Sequence, residues 1–103
     1  MAFQSGPFEA ALATAAGADG ALQRELRIGF LESAERLLDL MRRSRCDANW
    51  RIAARRLHAL AGGFHATQLM DLAEQALGGV PGDPAALREI QTHLGEIRGP
   101  TTG

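Results

Sequence analysis

The stretch WRIAARRLHALAGGF, residues 50–64, combines a regular helical pattern with residues that do not serve helix stability. Its apolar side chains recur at steps of three and four, the spacing of one face of an α-helix. These residues are Trp50, Ala53, Leu57, Leu60 and Phe64. His58 stands next to this stripe, and Gly62 costs a helix interior roughly 1 kcal/mol relative to alanine. The stretch therefore predicts a half-buried helix whose histidine and glycines were selected for another purpose.

The composition of the whole chain predicts an all-α fold. Its 103 residues are rich in Ala, Leu, Arg and Glu, with no Tyr and one Val, Val80. A chain of this length buries one core, so we expect a single domain over residues 1–103. An ordered bundle is expected over about residues 7–98, with a flexible tail over residues 99–103.

Charge and cysteine content argue against several classes of function. The formal net charge of -1 gives little attraction to phosphate backbones or anionic lipids, so we expect no nucleic-acid and no membrane partner. No apolar run approaches the ~18 residues of a membrane span, and no signal-like start precedes the domain. The single Cys46 cannot form an intramolecular disulfide, so a reducing, cytoplasmic setting is expected. The arginine pairs at 42–43 and 55–56 are interpreted as solvated helix faces.

Two helices are predicted before this stretch. A short helix starts near Pro7 and ends at the GADG segment, residues 17–20, and a long amphipathic helix follows over about residues 21–45. Their predicted apolar positions are Phe8, Leu12, Ala15, Leu22, Leu26, Phe30, Ala34, Leu37, Leu38 and Met41.

Two further helices are predicted after it. The expected N-caps are Asp47 or Asn49 for the third helix, Thr67 for the fourth and Asp83 for the fifth, with Pro84 as its first residue. The predicted buried residues are Leu69, Leu72, Ala73, Ala76 and Leu77 on the fourth helix and Leu87, Ile90, Leu94 and Ile97 on the fifth. Short connections between amphipathic helices favour an antiparallel four-helix bundle with an additional short N-terminal helix.

The predicted stripe determines where His58 points, because successive helical residues turn by about 100°. His58 falls in a polar row beside the stripe, so its imidazole should reach solvent. The row is Arg51, Arg55, His58, Gly62 and His65. The surrounding small residues are Ala54, Ala59 and Ala61. Gly62 leaves the imidazole open on one side, while Arg51 and Arg55 offer guanidinium groups that can pair with phosphate oxygens.

Over residues 8–97 the chain resembles the family of histidine-containing phosphotransfer domains. The resemblance rests on Trp50, His58, Leu60, Gly62 and Leu72, and on the preceding helix FLESAERLLDLM. The family motif is approximately H-x-L-K-G, followed by a leucine-bearing helix. The resemblance implies a four-helix bundle in which His58 accepts a phosphoryl group from a receiver aspartate or a kinase and passes it to another receiver. It also implies that Gly62 admits the incoming active site.

The chemistry of phosphoryl transfer suits a histidine on a bare helix face. A neutral imidazole has a free ring nitrogen that can attack phosphorus. Because positioning and cations stabilise the transition state, a partner can supply most of the catalytic groups. The resemblance implies that the receiver brings the aspartate and the magnesium ion. We therefore expect a monomeric carrier without enzyme activity or a cofactor of its own, whose partners are a response-regulator receiver domain and a sensor or hybrid histidine kinase.

Two positions depart from the family pattern. Ala61 stands where the family usually has lysine, and Gln68 stands where a glycine often follows. The chain contains no lysine at all. Arg55, one turn before His58, or His65, two turns after it, is expected to replace the missing lysine.

Two other functions stay open at this point. A bundle weakened by the loss of the lysine would dock a receiver or kinase without carrying phosphate, and an unrelated helical bundle would carry His58 by coincidence. A metal shared by His58 and His65 is disfavoured, because seven helical residues rise about 10.5 Å while zinc reaches only about 2 Å to each nitrogen. His93 is expected to be exposed or to pack between helices, and Cys46 is assigned no role.

Overall fold

The computed structural model describes residues 6–99, which form five α-helices and no strand. The helices are α1 (Gly6–Ala16), α2 (Gly20–Arg43), α3 (Asp47–Gly63), α4 (Thr67–Gly78) and α5 (Pro84–Arg98). The all-α prediction is confirmed. Apart from Gly99, the predicted flexible tail lies outside the described residues.

The five helices share one hydrophobic core. α2 packs against α3 and α5, α4 also packs against α3 and α5, and α1 packs against α2. The 24 residues of α2 span about 36 Å and account for most of the 44 Å length of the molecule. All five helices contribute large, fully buried side chains, namely Leu12, Phe30, Leu38, Met41, Trp50, Leu57, Leu69, Ile90 and Leu94.

The buried face of α3 is wider than the predicted stripe. Its buried residues are Trp50, Ala53, Ala54, Leu57 and Ala61. Leu60 and Phe64 are only partly buried, whereas Ala54 and Ala61, which were expected at the surface, lie in the core. Because α3 packs against both α2 and α4, its core face serves two neighbours, and alanines allow close approach of the helices.

The first two helices show similar small differences from the predicted pattern. On α1 the buried row runs through Ala16 and leaves Ala15 exposed, because Phe8, Leu12 and Ala16 follow each other at four-residue steps. On α2 the first-turn Leu22 is exposed and Leu31 is buried instead.

The predicted start of α5 is confirmed. The Asp83 carboxylate accepts a hydrogen bond from the backbone N–H of Ala85 at 3.0 Å, and Pro84 is the first helical residue. Asp19 caps α2 in the same way, a role that the sequence pattern did not single out.

The caps predicted for α3 and α4 are wrong. Cys46 and Ala66 occupy the N-cap positions, and neither side chain makes a capping hydrogen bond. Asp47 and Thr67 are the first helical residues, and Asn49 lies within the helix. An N-cap residue needs a non-helical backbone, whereas Asp47, Asn49 and Thr67 all have a helical one. Asp47 still favours the helix start, because its negative charge lies at the positive end of the helix dipole.

A cluster of aromatic rings holds α1 against the end of α3. The ring centroids of Phe8 and Phe30 lie 4.9 Å apart, those of Phe30 and Phe64 also 4.9 Å, and those of Phe8 and Phe64 6.4 Å. The Arg27 guanidinium lies 5.6 Å from the Phe8 centroid and pairs with Glu9 of α1. Since Phe64 is the C-cap of α3, this cluster supports the turn that follows that helix.

A buried hydrogen bond joins α3 to α4. The indole Nε1–H of Trp50 donates to the carbonyl oxygen of Ala76 at 3.1 Å. The indole is buried, so this bond satisfies a polar group that would otherwise be costly in the core. It holds α4 beside the face of α3 that carries His58.

Candidate functional site

His58 lies on the edge of α3 that faces α4. Its side chain is 32% exposed, so the imidazole reaches solvent only in part. The reason is a side chain of α4, Glu74, which lies against it. The rotation expected from the sequence is therefore close to the observed one, but a neighbouring helix covers part of the ring.

The imidazole of His58 is held by a carboxylate. Its Nε2 lies 2.9 Å from Oε2 of Glu74. A neutral imidazole makes this bond by donating Nε2–H, which leaves the ring's lone pair on Nδ1. The Glu74 side chain is 62% exposed, so the pair lies at the surface. The arrangement selects one tautomer and one orientation of the ring while leaving it accessible.

Glu74 is a site residue that sequence reasoning did not identify. The sequence gives only a weak indication of its position: Glu74 directly follows Ala73, a residue of the predicted core row of α4. A position beside the core row borders a neighbouring helix, but the rotation of α4 decides whether that neighbour is α3 or α5. That rotation depends on the packed structure.

Gly62 leaves room for a side chain of α4. A Cβ atom at this position would lie 3.8 Å from Cε of Met70 and 4.0 Å from its Sδ. Met70 thus occupies part of the space that was expected to stay open beside His58, because α4 packs closely on α3. A methyl group at residue 62 would make ordinary contacts there, whereas a larger side chain would displace Met70.

Ala61 was expected at the surface beside His58, but it does not lie there. It is fully buried, on the part of α3 that faces the core. A lysine at this position would have to place its aliphatic stem in the core to bring its charge to water. The packing of this chain thus accommodates an alanine at position 61, where the family that the chain resembles usually has a lysine.

Two exposed arginines of α3, Arg55 and Arg51, precede His58 by about one and two helical turns. Arg51 and Arg55 form no ion pair or hydrogen bond with any of the residues 6–99. Arg55 precedes His58 by three residues, which places it about 60° away around the helix axis. Ala59 is exposed and small, so it does not obstruct this surface. The guanidinium group of Arg55, the nearer of the two along the helix, is available to an anionic group that approaches the imidazole.

His65 was expected to continue the row of His58, but it does not. α3 ends at Gly63, and His65 follows in the left-handed region with φ at 56°. Its side chain is exposed. The turn moves His65 out of the helical register that relates it to His58, because the backbone reverses direction there.

The third histidine, His93, packs between helices, one of the two placements expected. It is buried on α5, and its Nδ1 lies 3.3 Å from Oε1 of Glu96. Burial lowers the pKa of His93, while the hydrogen bond and charge of Glu96 act in the opposite direction. Its burial keeps it apart from the exposed surface of α3.

Within residues 6–99, no three His, Cys, Asp or Glu side chains form a group that could hold a metal ion. Cys46 is exposed at the start of α3. No helix in the described part of the chain combines the length and the apolar character needed to cross a membrane. The chemistry of the described site is therefore that of an oriented imidazole, a carboxylate and two free guanidinium groups.

In comparisons with known proteins, no protein family, curated protein or solved structure matches this chain.

Proposed function

We propose that this chain is a phosphocarrier of the histidine-containing phosphotransfer type, with His58 as its phosphoryl acceptor. The observation that supports this function best is the partly exposed imidazole, which Glu74 orients on a helix that also displays Arg51 and Arg55. The resemblance of the chain over residues 8–97 points to the same histidine.

The proposed architecture is an antiparallel four-helix bundle made of α2 to α5, with α1 as a short additional helix. The contacts of α2 with α3 and α5, and of α4 with the same two helices, support this arrangement. The proposed carrier is one cytoplasmic domain that acts as a monomer. Its partners are a response-regulator receiver domain and a sensor or hybrid histidine kinase.

In the proposed reaction, the Nδ1 lone pair of His58 attacks the phosphorus of a receiver's phosphoaspartate. A nitrogen–phosphorus bond forms, the phosphorus–oxygen bond to the aspartate breaks, and the aspartate leaves as a carboxylate. The Nε2 proton stays on the ring, where the Glu74 carboxylate accepts its hydrogen bond. Positive charge develops on the imidazole during the attack, and the neighbouring carboxylate stabilises it.

The exposed arginines and the partner complete the site. Arg55 is near enough along α3 to donate hydrogen bonds to the phosphoryl oxygens as they approach His58. A magnesium ion carried by the receiver would neutralise further charge on the phosphoryl group. Transfer to a second receiver reverses the same steps, so the carrier is restored unchanged.

The proposal is tested by labelling. The protein is incubated with a panel of receiver domains that have been phosphorylated with radiolabelled acetyl phosphate, and the transferred label is followed on the carrier. We expect a label that is stable to base and labile to acid, as a phosphohistidine is, and that is absent from the His58→Gln variant. The matched control is His65→Gln, which changes an exposed histidine and should keep the label. Label that persists in His58→Gln would contradict the proposal.

A docking module that carries no phosphate is the second candidate. Two observations favour it: Ala61 is buried where the resembling family has a lysine, and the Glu74 carboxylate adds negative charge beside the acceptor. Such a module would bind a receiver of the panel without gaining a label. An unrelated helical bundle would neither bind the receivers nor become labelled.

A further inference from the structure

A second surface feature, the α2–α3 groove, lies between α2 and α3. It is lined by Leu40, Arg43, Ser44, Asn49, Ile52 and Arg56 and has a volume of about 230 Å³. Leu40 is 39% exposed and Ile52 is 46% exposed. Two large apolar side chains are therefore open to solvent within one concave surface, which indicates a contact surface.

The chain around this groove is rich in arginine, and Arg43 and Arg56 line the groove itself. The segment of residues 42–56 carries one acidic residue, Asp47, and six exposed arginines, namely Arg42, Arg43, Arg45, Arg51, Arg55 and Arg56. Arg43 pairs with Asp39, and Arg42 donates to Gln91. The other four have no ion pair or hydrogen bond within the described part of the chain. Since the whole chain has a net charge of -1, this positive charge is a local feature.

The groove is separate from the His58 site. At about 100° per residue, Ile52 lies about 120° and Arg56 about 160° from His58 around the axis of α3. His58 contacts α4, whereas these two residues face the side of α3 that borders α2. A partner can therefore occupy the groove without contacting the imidazole.

We propose that the α2–α3 groove docks an acidic amphipathic helix of a partner protein. Apolar side chains of that helix pack on Leu40 and Ile52, and its carboxylates pair with Arg43 and Arg56, the two arginines that line the groove. An apolar centre with a charged rim is the usual form of a protein contact, and a helix fits a groove between two helices. A nucleic acid would use the arginines but would gain little from two aliphatic side chains. This inference does not depend on the proposed phosphocarrier function.

The test uses a synthetic, fluorescently labelled helical peptide of roughly five turns, with leucines along one face and glutamates elsewhere. Binding to the full chain is measured by fluorescence anisotropy. We expect a Kd on the order of 10–100 μM that weakens with added salt. Ile52→Asn and Arg56→Glu should each weaken binding by about fivefold or more.

Matched variants elsewhere on the surface serve as controls. Ile28→Asn alters an isoleucine of similar exposure, 54%, and Arg24→Glu reverses an exposed arginine far from the groove in sequence; both should leave the Kd unchanged. His58→Gln should also bind normally, which distinguishes this inference from the proposed function.

Four results would overturn the inference: no binding of the peptide at millimolar concentration, equal binding by the Ile52→Asn variant, loss of binding in His58→Gln, or a salt-dependent preference for a short DNA duplex over the peptide. A dimer in solution that dissociates on Ile52→Asn would show instead that a second copy of the chain occupies the groove.

Discussion

Two residues from different helices, His58 and Glu74, form one hydrogen bond. Nε2 of the imidazole lies 2.9 Å from Oε2 of the carboxylate, and a neutral ring makes this bond by donating Nε2–H, which leaves its lone pair on Nδ1. The sequence predicts the position of His58 because α3 carries its own apolar stripe. It does not predict the contact with Glu74, because that contact depends on the rotation of α4 against α3.

Replacing Glu74 with alanine should slow labelling of His58 by roughly tenfold, because the imidazole loses both its orientation and the charge that stabilises the attacking ring. The initial rate of transfer from a phosphorylated receiver measures the effect. Asp71→Ala, at another exposed acidic residue of α4, is the control and should transfer at the normal rate. An unchanged rate in Glu74→Ala would show that the carboxylate has no part in the reaction.

Arg55 is the residue best placed to substitute for the absent lysine. The Arg55→Ala variant should transfer phosphate about tenfold more slowly, which corresponds to the loss of one charged hydrogen bond worth about 1.4 kcal/mol in the transition state. The same transfer assay measures it, with Arg36→Ala on α2 as the control. If both variants match the unaltered protein, another group performs this role.

At the scale of elements, the end of α3 is closed by a turn that normally uses glycine. The backbone N–H of Ala66 donates to the carbonyl of Ala61 at 2.8 Å, and that of His65 to the carbonyl of Gly62 at 3.2 Å. This pair of bonds is the Schellman motif, and His65 occupies its left-handed position with φ at 56°. A side chain with a Cβ atom is strained in this region.

Glycine at position 65 should therefore raise the free energy of unfolding by about 1 kcal/mol, and His65→Val should lower it, because a β-branched side chain tolerates this backbone least. Urea denaturation followed by circular dichroism measures both variants. A His65→Gly variant that is less stable than the unaltered protein would indicate that the imidazole makes a stabilising contact that outweighs the backbone strain.

The helix starts also show which structural features the nearby sequence can predict by itself. Asp83 and Pro84 mark the start of α5 correctly, because a cap needs only its own helix turn. The starts of α3 and α4 lack a capping side chain, so the polar residues nearby, Asp47 and Thr67, were mistaken for caps. The burial of Ala61 was missed for a different reason, since alanine carries little hydrophobic signal and its placement is decided by α2 and α4 together.

At the scale of the whole molecule, His93 is the one buried polar side chain among residues 6–99. Burial lowers its pKa below the ordinary value of 6.5, against the opposing effect of Glu96. As the pH falls, the unfolded chain therefore takes up a proton on this residue before the folded chain does. The neutral form stabilises the fold above the ordinary pKa, and this stability is lost as the pH falls through the lowered pKa.

The free energy of unfolding should accordingly decrease from about pH 7 to about pH 5, before most carboxylates titrate. Urea denaturation at a series of pH values measures this decrease. The His93→Gln variant should show a smaller decrease over that range, while His65→Gln, at an exposed position, should behave like the unaltered protein. Equal slopes for His93→Gln and the unaltered chain would assign the pH dependence to other groups.

The bond between Trp50 and Ala76 has a practical consequence. Trp50 is the single tryptophan of a chain without tyrosine, so light absorbed at the red edge of the protein spectrum excites this indole alone. It is buried at the contact of α3 with α4, eight residues before His58. Its emission therefore reports the separation of the two helices that hold the imidazole and the carboxylate, and it allows docking at either face to be followed without an attached dye.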